Sequence, residues 1–199
     1  MPRILSDADV ADFRQRLCVV AEQLFAEQGP EAVTMRQLAS ALGVSPMTPY
    51  RYFKDKDDIL AAVRAQSFHR FAQALEDAYA RPGDARTKGA AVGEAYVNFA
   101  FEHPQTYKLM FDMHQPDEQA YPELKQAAER ARATMSQYVR GLVESGRLKG
   151  DPIRLGEMFW ASTHGCIVLE MAGRLPPGGA RKLMGEVNSA IARGLRSDR

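Results

Sequence analysis

Apolar residues recur at three- and four-residue steps through almost every segment of this chain, and no stretch alternates apolar with polar over the length of a strand. That property confines the fold to packed α-helices, because a 3.6-residue period lays one apolar stripe along a helix but cannot line one face of a sheet. Over residues 7–28 the stripe is Val10, Phe13, Leu17, Val20, Ala21, Leu24 and Phe25. Ser6 or Asp7 can cap its start, and Gly29-Pro30 stops it. A short second helix follows Thr34, which has Gln37 three residues on in capping-box register, and it stops at Gly43. After the tight Gly43-Val44 connection, Ser45 is a good N-cap and Pro46 falls at a first helical position, where its missing N–H costs nothing. Pro49 would then stand at the fourth position. There it removes the hydrogen bond to the Ser45 carbonyl and biases Thr48 away from helical angles. Residues 46–52 are therefore expected to form a short helix with a tightened or distorted first turn.

Asp55 is the candidate cap of a longer helix striped by Ile59, Leu60, Val63, Phe68, Phe71 and Leu75, and the run RPGD at 81–84 is the clearest break in the chain. Beyond it the periodicity predicts helices over 85–102, 105–113, 118–145 and 153–173, then a last one running from PPGG at 176–179 to about 195. Gln115-Pro116-Asp117 reads as a loop. The expected fold is all-α, with about nine helices. A three-helix domain over 1–56 is joined by a linking helix over 56–80 to a C-terminal bundle over 81–199.

Hydrophobic content of 45% and charged content of 26% over 199 residues are those of a chain that folds around a core. A net charge of +1 argues against a uniformly basic, sequence-independent nucleic-acid binder, while leaving room for a local basic patch. The first residues are too polar and acidic for a signal peptide, and no apolar run approaches the ~18 residues of a membrane span. A soluble, cytoplasmic protein without a membrane partner is expected. Cys18 and Cys166 sit inside apolar helical patterns with no CxxC spacing, as buried reduced thiols would. The four histidines, His69, His103, His114 and His164, show neither HExxH nor Glu-x-x-His spacing, so neither a metal nor another cofactor is expected. His103, before a proline, should end a helix, and His164 should be a hydrogen-bonded residue of the core or a dimer face. The alternative reading, an all-α metal-dependent enzyme, finds no metal-ligand spacing, nucleophile elbow or paired carboxylates.

Two short helices around a glycine turn form a helix-turn-helix signature, and such a pair needs a third helix to bury its apolar faces. Leu38, Ala39, Leu42, Val44 and Phe53 would face the first helix. That leaves Met47, Thr48, Arg51 and Tyr52 outward, with Tyr50 flanking. This outer set suits a DNA major groove. Arg51 can pair with guanine edges or phosphate, Thr48, Pro46 and Met47 can meet a thymine methyl, and the tyrosine hydroxyls can donate to phosphate oxygens. Lys54 and Lys56 at the start of the next helix, and Arg36 at the start of the preceding one, are candidates for phosphate contact.

Residues 10–63 resemble the N-terminal domain of the TetR (tetracycline repressor) family of bacterial transcriptional regulators. The run that carries the likeness is AEQLFAEQGPEAVTMRQLASALGVSPMTPYRYFKDKDDIL. One departure is Pro49, where the family pattern usually has an aliphatic residue. Position by position, the resemblance implies DNA contacts from Met35, Arg36, Ser45, Pro46, Met47, Thr48, Tyr50, Arg51, Tyr52 and Lys56. It also implies a homodimer formed mostly by the last two helices, a palindromic double-stranded operator and a small-molecule effector that controls affinity, most often for a repressor. Further on, Glu102-His103-Pro104, Tyr107, Leu109-Met110-Phe111, Trp160 and His164-Gly165 resemble a C-terminal subclass named for its Trp-His-Gly pattern.

Tyr96, Phe99, Tyr107, Met110, Phe111, Met113 and Trp160 are residue types that build cores and ligand cavities alike. With His164 and Glu170, all but Met113 make up the candidate ligand-binding set. Glu170 on an otherwise apolar helix would either pair with Arg174 one turn on or face a cavity and read a cationic ligand.

Overall fold

A computed structural model describes residues 6–111 and 117–196 of the chain. Met113, His114 and the loop residues Gln115 and Pro116 lie outside the described residues. Eight α-helices and two 3-10 helices account for the regular structure described. The α-helices are α1 (Asp7–Gln28), α2 (Met35–Ala41), α3 (Lys56–Tyr79), α4 (Ala85–Glu102), α5 (Pro104–Phe111), α6 (Pro122–Glu144), α7 (Pro152–Met171) and α8 (Gly179–Gly194). The 3-10 helices are Pro49–Arg51 and Glu118–Ala120. The all-α expectation therefore holds.

Helix ends follow local chemistry. Ser6 and Asp9 form a reciprocal capping box at the start of α1, with Ser6 Oγ accepting from the Asp9 amide at 3.1 Å and Asp9 Oδ2 from the Ser6 amide at 3.0 Å. Thr34 and Gln37 do the same for α2. At the other end of α2, Gly43 adopts φ 67°, and the amides of Gly43 and Val44 donate to the carbonyls of Ser40 and Ala39. This Schellman closure needs a left-handed residue, which glycine supplies without a Cβ penalty. Asp55 caps α3 through the Asp58 amide at 2.9 Å. His103 is the C-cap of α4.

Residues 46–52 differ from the expected helix. Ser45–Thr48 is a turn, with the Thr48 amide donating to the Ser45 carbonyl at 2.8 Å, and a 3-10 helix of three residues follows. Pro49 thus occupies the first position of that helix, where it has no hydrogen bond to lose, rather than the fourth position of an α-helix. The bias expected at Thr48 is overridden. Its φ −64° and ψ −46° are helical, held by the turn before it and by the Arg51 amide donating to its carbonyl.

The described chain divides into two compact units, one drawn from Met1–Phe68 and Gln105–Ala128, the other from His69–Pro104 and Glu129–Arg199. In the first, Leu17, Ala21 and Phe25 of α1 meet Leu38 of α2, Phe53, and Ile59, Leu60 and Val63 of α3 in one buried cluster that Leu109 of α5 joins. Thr106 Oγ1 donates to Glu22 Oε1 at 2.8 Å, which ties α5 to α1. Cys18 lies in this cluster, and burial pushes its thiol up to about 11.

In the second unit Phe71 meets Tyr96 edge-on at 4.8 Å and Phe99 at 5.1 Å. A second cluster gathers Val139, Leu148, Leu155 and Phe159. Polar ties also join helices of this unit. Arg130 of α6 grips the Glu76 carboxylate through Nε and a terminal nitrogen and also reaches Gln73, while Arg181 of α8 reaches Glu94 and Asn98 of α4. Cys166 is buried here, and neither cysteine forms a disulfide. Among the described residues no helix is long and apolar enough to cross a membrane.

Candidate functional site

The helix-turn-helix segment owes its geometry to what lies behind it. Leu38, Ala39 and Phe53 are buried as expected, and Leu42 and Val44 are half-buried. Pro49 is buried as well, so its ring fills the core position that an aliphatic side chain would otherwise hold. Arg14 of α1, which sequence reasoning passed over, locks this packing. Its guanidinium lies 4.0 Å from the centre of the Phe53 ring and donates to the Tyr52 carbonyl. The signal was its place on the border of the α1 stripe, one residue after Phe13 and three before Leu17.

In front of this core, Arg36, Ser45, Pro46, Met47, Tyr50 and Arg51 are exposed and Thr48 is half-buried. Met47 is 68% and Tyr50 48% exposed, values that burial in a core would not leave to large apolar side chains. Three residues of the expected DNA-contacting set sit differently. Met35 is buried, and packs with the core behind α2. Tyr52 stacks on Phe13, ring centres 4.1 Å apart and planes 24° from parallel. Lys56 turns its ammonium inward to the Pro30 carbonyl at 2.6 Å, with the Glu31 carbonyl at 3.4 Å, and so fastens the α1–α2 connection to α3. At the same helix start the Lys54 amide donates to Asp58 and the Asp58 amide to Asp55. Lys54 Nζ is 4.0 Å from Asp55 and highly exposed.

The candidate ligand-binding residues divide between the two units. Tyr107, Met110 and Phe111 belong to the first, where Tyr107 and Met110 are buried, Phe111 meets Phe68 edge-on at 5.6 Å, and the Met110 carbonyl accepts from the buried Arg64 guanidinium. Tyr96, Phe99, Trp160, His164 and Glu170 belong to the second. Glu170 takes neither role the sequence offered. Its carboxylate accepts from the amides of Gly178 at 2.9 Å and Ala180 at 2.7 Å, capping α8 from the preceding helix. Gly178, the N-cap residue, has no side chain to do this. His164 lies beside Trp160, ring centres 6.0 Å apart, and burial holds its imidazole pKa below the ordinary value.

The second unit contains a small, half-open cleft between α4, α6 and α7, with an interior volume of about 20 Å³. Of the candidates, Tyr96 and Trp160 line it, joined by a hydrogen bond from Trp160 Nε1 to Tyr96 Oη at 3.0 Å. Around that pair stand Val92 and Gly93 of α4, Met135 and Tyr138 of α6, and Gly156, Phe159 and Thr163 of α7. Burial raises the Tyr138 phenol pKa, which keeps it neutral. These additional wall residues were not singled out from the sequence. The one available hint was glycine inside helical patterns at Gly89, Gly93 and Gly156, since interior glycine weakens a helix and so marks close approach or open space.

Among the described residues no three His, Cys, Asp or Glu side chains gather as metal ligands would, so the metal-dependent enzyme reading has no donor set behind it.

Comparison with known proteins agrees with this architecture. Residues 17–63 match the family described as bacterial regulatory proteins, tetR family, and residues 89–187 match the tetracyclin repressor-like C-terminal domain. An HTH-type transcriptional regulator of Staphylococcus aureus is 38% identical over 63 residues, which is 32% of this chain and 34% of that relative's length. A protein of unknown function from Rhodococcus sp. RHA1 has a solved structure with a TM-score of 0.80 at 27% identity, covering 99% of this chain and 100% of that one. The TetR-family regulator PfmR of Thermus thermophilus, at 22% identity, shares the fold with a TM-score of 0.68 over 92% of this chain and 100% of its own. An N-terminal helix-turn-helix with an exposed face, a helical C-terminal part and matches to the family in both place the chain in the TetR family of DNA-binding transcriptional regulators.

Proposed function

We propose that the chain is a one-component repressor that binds a palindromic operator as a homodimer and is released by a small molecule held in its C-terminal part. The observation that carries the DNA reading is the exposure of Arg36, Met47, Tyr50 and Arg51 in front of a segment whose Leu38, Pro49 and Phe53 are buried. Such a segment presents side chains to a groove while its backbone is held from behind. Arg51 is the principal reader, Arg36 a phosphate contact, and Ser45, Pro46, Met47, Thr48 and Tyr50 complete the surface. Met35, Tyr52 and Lys56 act through packing and the Pro30 carbonyl, supporting that surface from behind.

Two copies meet through α7 and α8. Met158, Ala161, Gly165 and Val168 recur at three- and four-residue steps along α7, and Met158 and Val168, with neighbouring Leu169, are large apolar groups left exposed on one chain. A two-fold dimer needs half-sites about one DNA turn, ~34 Å, apart, so an effector that changes the spacing of the two readers weakens binding without touching them. A coupling of ~1–3 kcal/mol suffices. Trp160 and His164-Gly165 on one helix support assignment to the Trp-His-Gly subclass.

Footprinting on DNA flanking the chain's own gene identifies the operator. Arg51→Ala should then lower operator affinity by about 1–3 kcal/mol, the worth of one good base contact, while the protein keeps its elution volume. An unchanged footprint would remove Arg51 from the readout and with it the core of this reading.

A further inference from the structure

We propose that Arg14 of α1 is a positioning residue for operator recognition: it holds the end of the reading segment so that Arg51 meets the DNA in one fixed geometry. This rests on the reading of the exposed face as the operator surface.

The segment cannot hold itself. Its regular part is a 3-10 helix of three residues, Pro49–Arg51, and its N-cap Thr48 makes no side-chain cap. Hydrogen-bond geometry in such helices is poor, so a single turn of one depends on what packs against it. At the other end the amides of Tyr52 and Phe53 share one acceptor, the Pro49 carbonyl, each at 3.0 Å. A basic residue in the last turn of a helix can bond the terminal carbonyls. Here that residue is Arg51, and its side chain is exposed on the DNA face.

Arg14 supplies the missing cap from another helix. Its Nη1 donates to the Tyr52 carbonyl, and its guanidinium carbon lies 4.0 Å from the centre of the Phe53 ring. The preceding residue, Phe13, stacks on the Tyr52 ring with centres 4.1 Å apart. Two consecutive residues of α1 thus grip the two residues that follow Arg51. The grip needs a planar cation, one whose face lies on a ring while an in-plane N–H reaches a carbonyl, and arginine offers this where lysine does not. Arg16, two residues on, differs: its side chain is 57% exposed and pairs with Asp12 at 3.8 Å on the same helix. Base readout depends on the direction of a side chain, whereas phosphate contact carries no sequence information. Loosening the segment should therefore cost specific affinity and leave non-specific affinity alone.

Full-length parent, Arg14→Met and Arg16→Met are titrated by fluorescence anisotropy against the footprinted operator duplex and a scrambled duplex of equal length and composition, over a range of salt. Arg14→Met should lower the ratio of operator to scrambled affinity by about tenfold, within the worth of one base contact. Its affinity for the scrambled duplex and its salt slope should stay at the parent values, since Arg14 releases no counterion. Arg16→Met should keep the ratio. In the free protein, amide exchange at Tyr52 and Phe53 should quicken several-fold in Arg14→Met. If Arg14→Met does not fold, Arg14→Lys, which keeps the charge without the planar fork, should lower the ratio several-fold. An unchanged ratio in the folded variant, or an equal fall in Arg16→Met, overturns the proposal. So does a salt slope shallower by about one in Arg14→Met, which would make Arg14 itself a phosphate contact. Faster exchange at the two amides with no footprint on DNA leaves the clamp standing and sinks the operator reading. A footprint with an unchanged ratio does the reverse.

Discussion

Lys56 shows how a single residue can change role between sequence and structure. Its position in the run Tyr-Arg-Tyr-Phe-Lys-Asp-Lys invites a phosphate contact, yet its ammonium sits 2.6 Å from the Pro30 carbonyl. A charged hydrogen bond of this kind contributes about 1.5–3 kcal/mol when its partner would otherwise go unpaired. Lys56→Met should therefore lower Tm by roughly 3–12 °C, taking 2–4 °C per kcal/mol for a chain of this size. It should leave the salt dependence of operator binding unchanged, since no released counterion belongs to it. A salt slope shallower by about one, with Tm unmoved, would return Lys56 to the phosphate backbone. Pro49 carries the complementary lesson. It looks like a helix breaker in the sequence, but burial makes its ring a core side chain and the 3-10 register makes its missing N–H harmless.

At the scale of elements, α7 and α8 form the clearest case of one helix completing another. Gly178 starts α8 in a left-handed conformation with no side-chain cap, and Glu170 of α7 reaches across the connection to satisfy two of the amides that every helix start leaves open. A carboxylate there also faces the positive end of the helix dipole. Glu170→Ala should cost about 1–2 kcal/mol, the usual worth of an N-cap. The loss should appear first as faster hydrogen exchange at Gly178 and Ala180. Unchanged exchange at those two amides would mean that water caps α8 as well as the carboxylate does. The extents of α1, α2 and α4 were legible from their apolar stripes and caps, because a helix end is decided within a few residues by groups adjacent in sequence. Residues 46–52 were not, because 3-10 and α geometry differ by little in local energy and the choice falls to tertiary packing, with Pro49 buried and Phe53 held under Arg14 of α1.

At the scale of the whole molecule, the first unit carries an exposed surface in front of a buried cluster, and the second a small cleft and an α7 face with large apolar side chains in the open. The proposed dimer makes a direct claim about that face. Leu169→Glu, at a residue 42% exposed on one chain, should shift the species seen by light scattering from twice the chain mass to once. The operator footprint should disappear at the same protein concentration, since one copy reads one half-site. A variant that keeps the dimer mass would move the interface off this part of α7. The α-helical class of both units followed from periodicity alone, whereas their membership did not. The described residues of 105–111 and 117–128 group with the N-terminal unit, through long-range contacts such as Thr106 with Glu22, which no local pattern announces.

The sequence by itself determined the all-α class, the capped ends of α1 and α2, the left-handed turn at Gly43 and the identity of the helix-turn-helix segment. All of these depend on residues within a few positions of one another. Tertiary structure alone decided that Pro49 is buried, that the Lys56 ammonium meets the Pro30 carbonyl, that the Tyr52 ring stacks on Phe13 and that the Glu170 carboxylate caps α8. Those outcomes depend on which distant carbonyl, ring or amide arrives within hydrogen-bonding or van der Waals reach. That partner is chosen by close packing of the helices and is not encoded in any short stretch of chain.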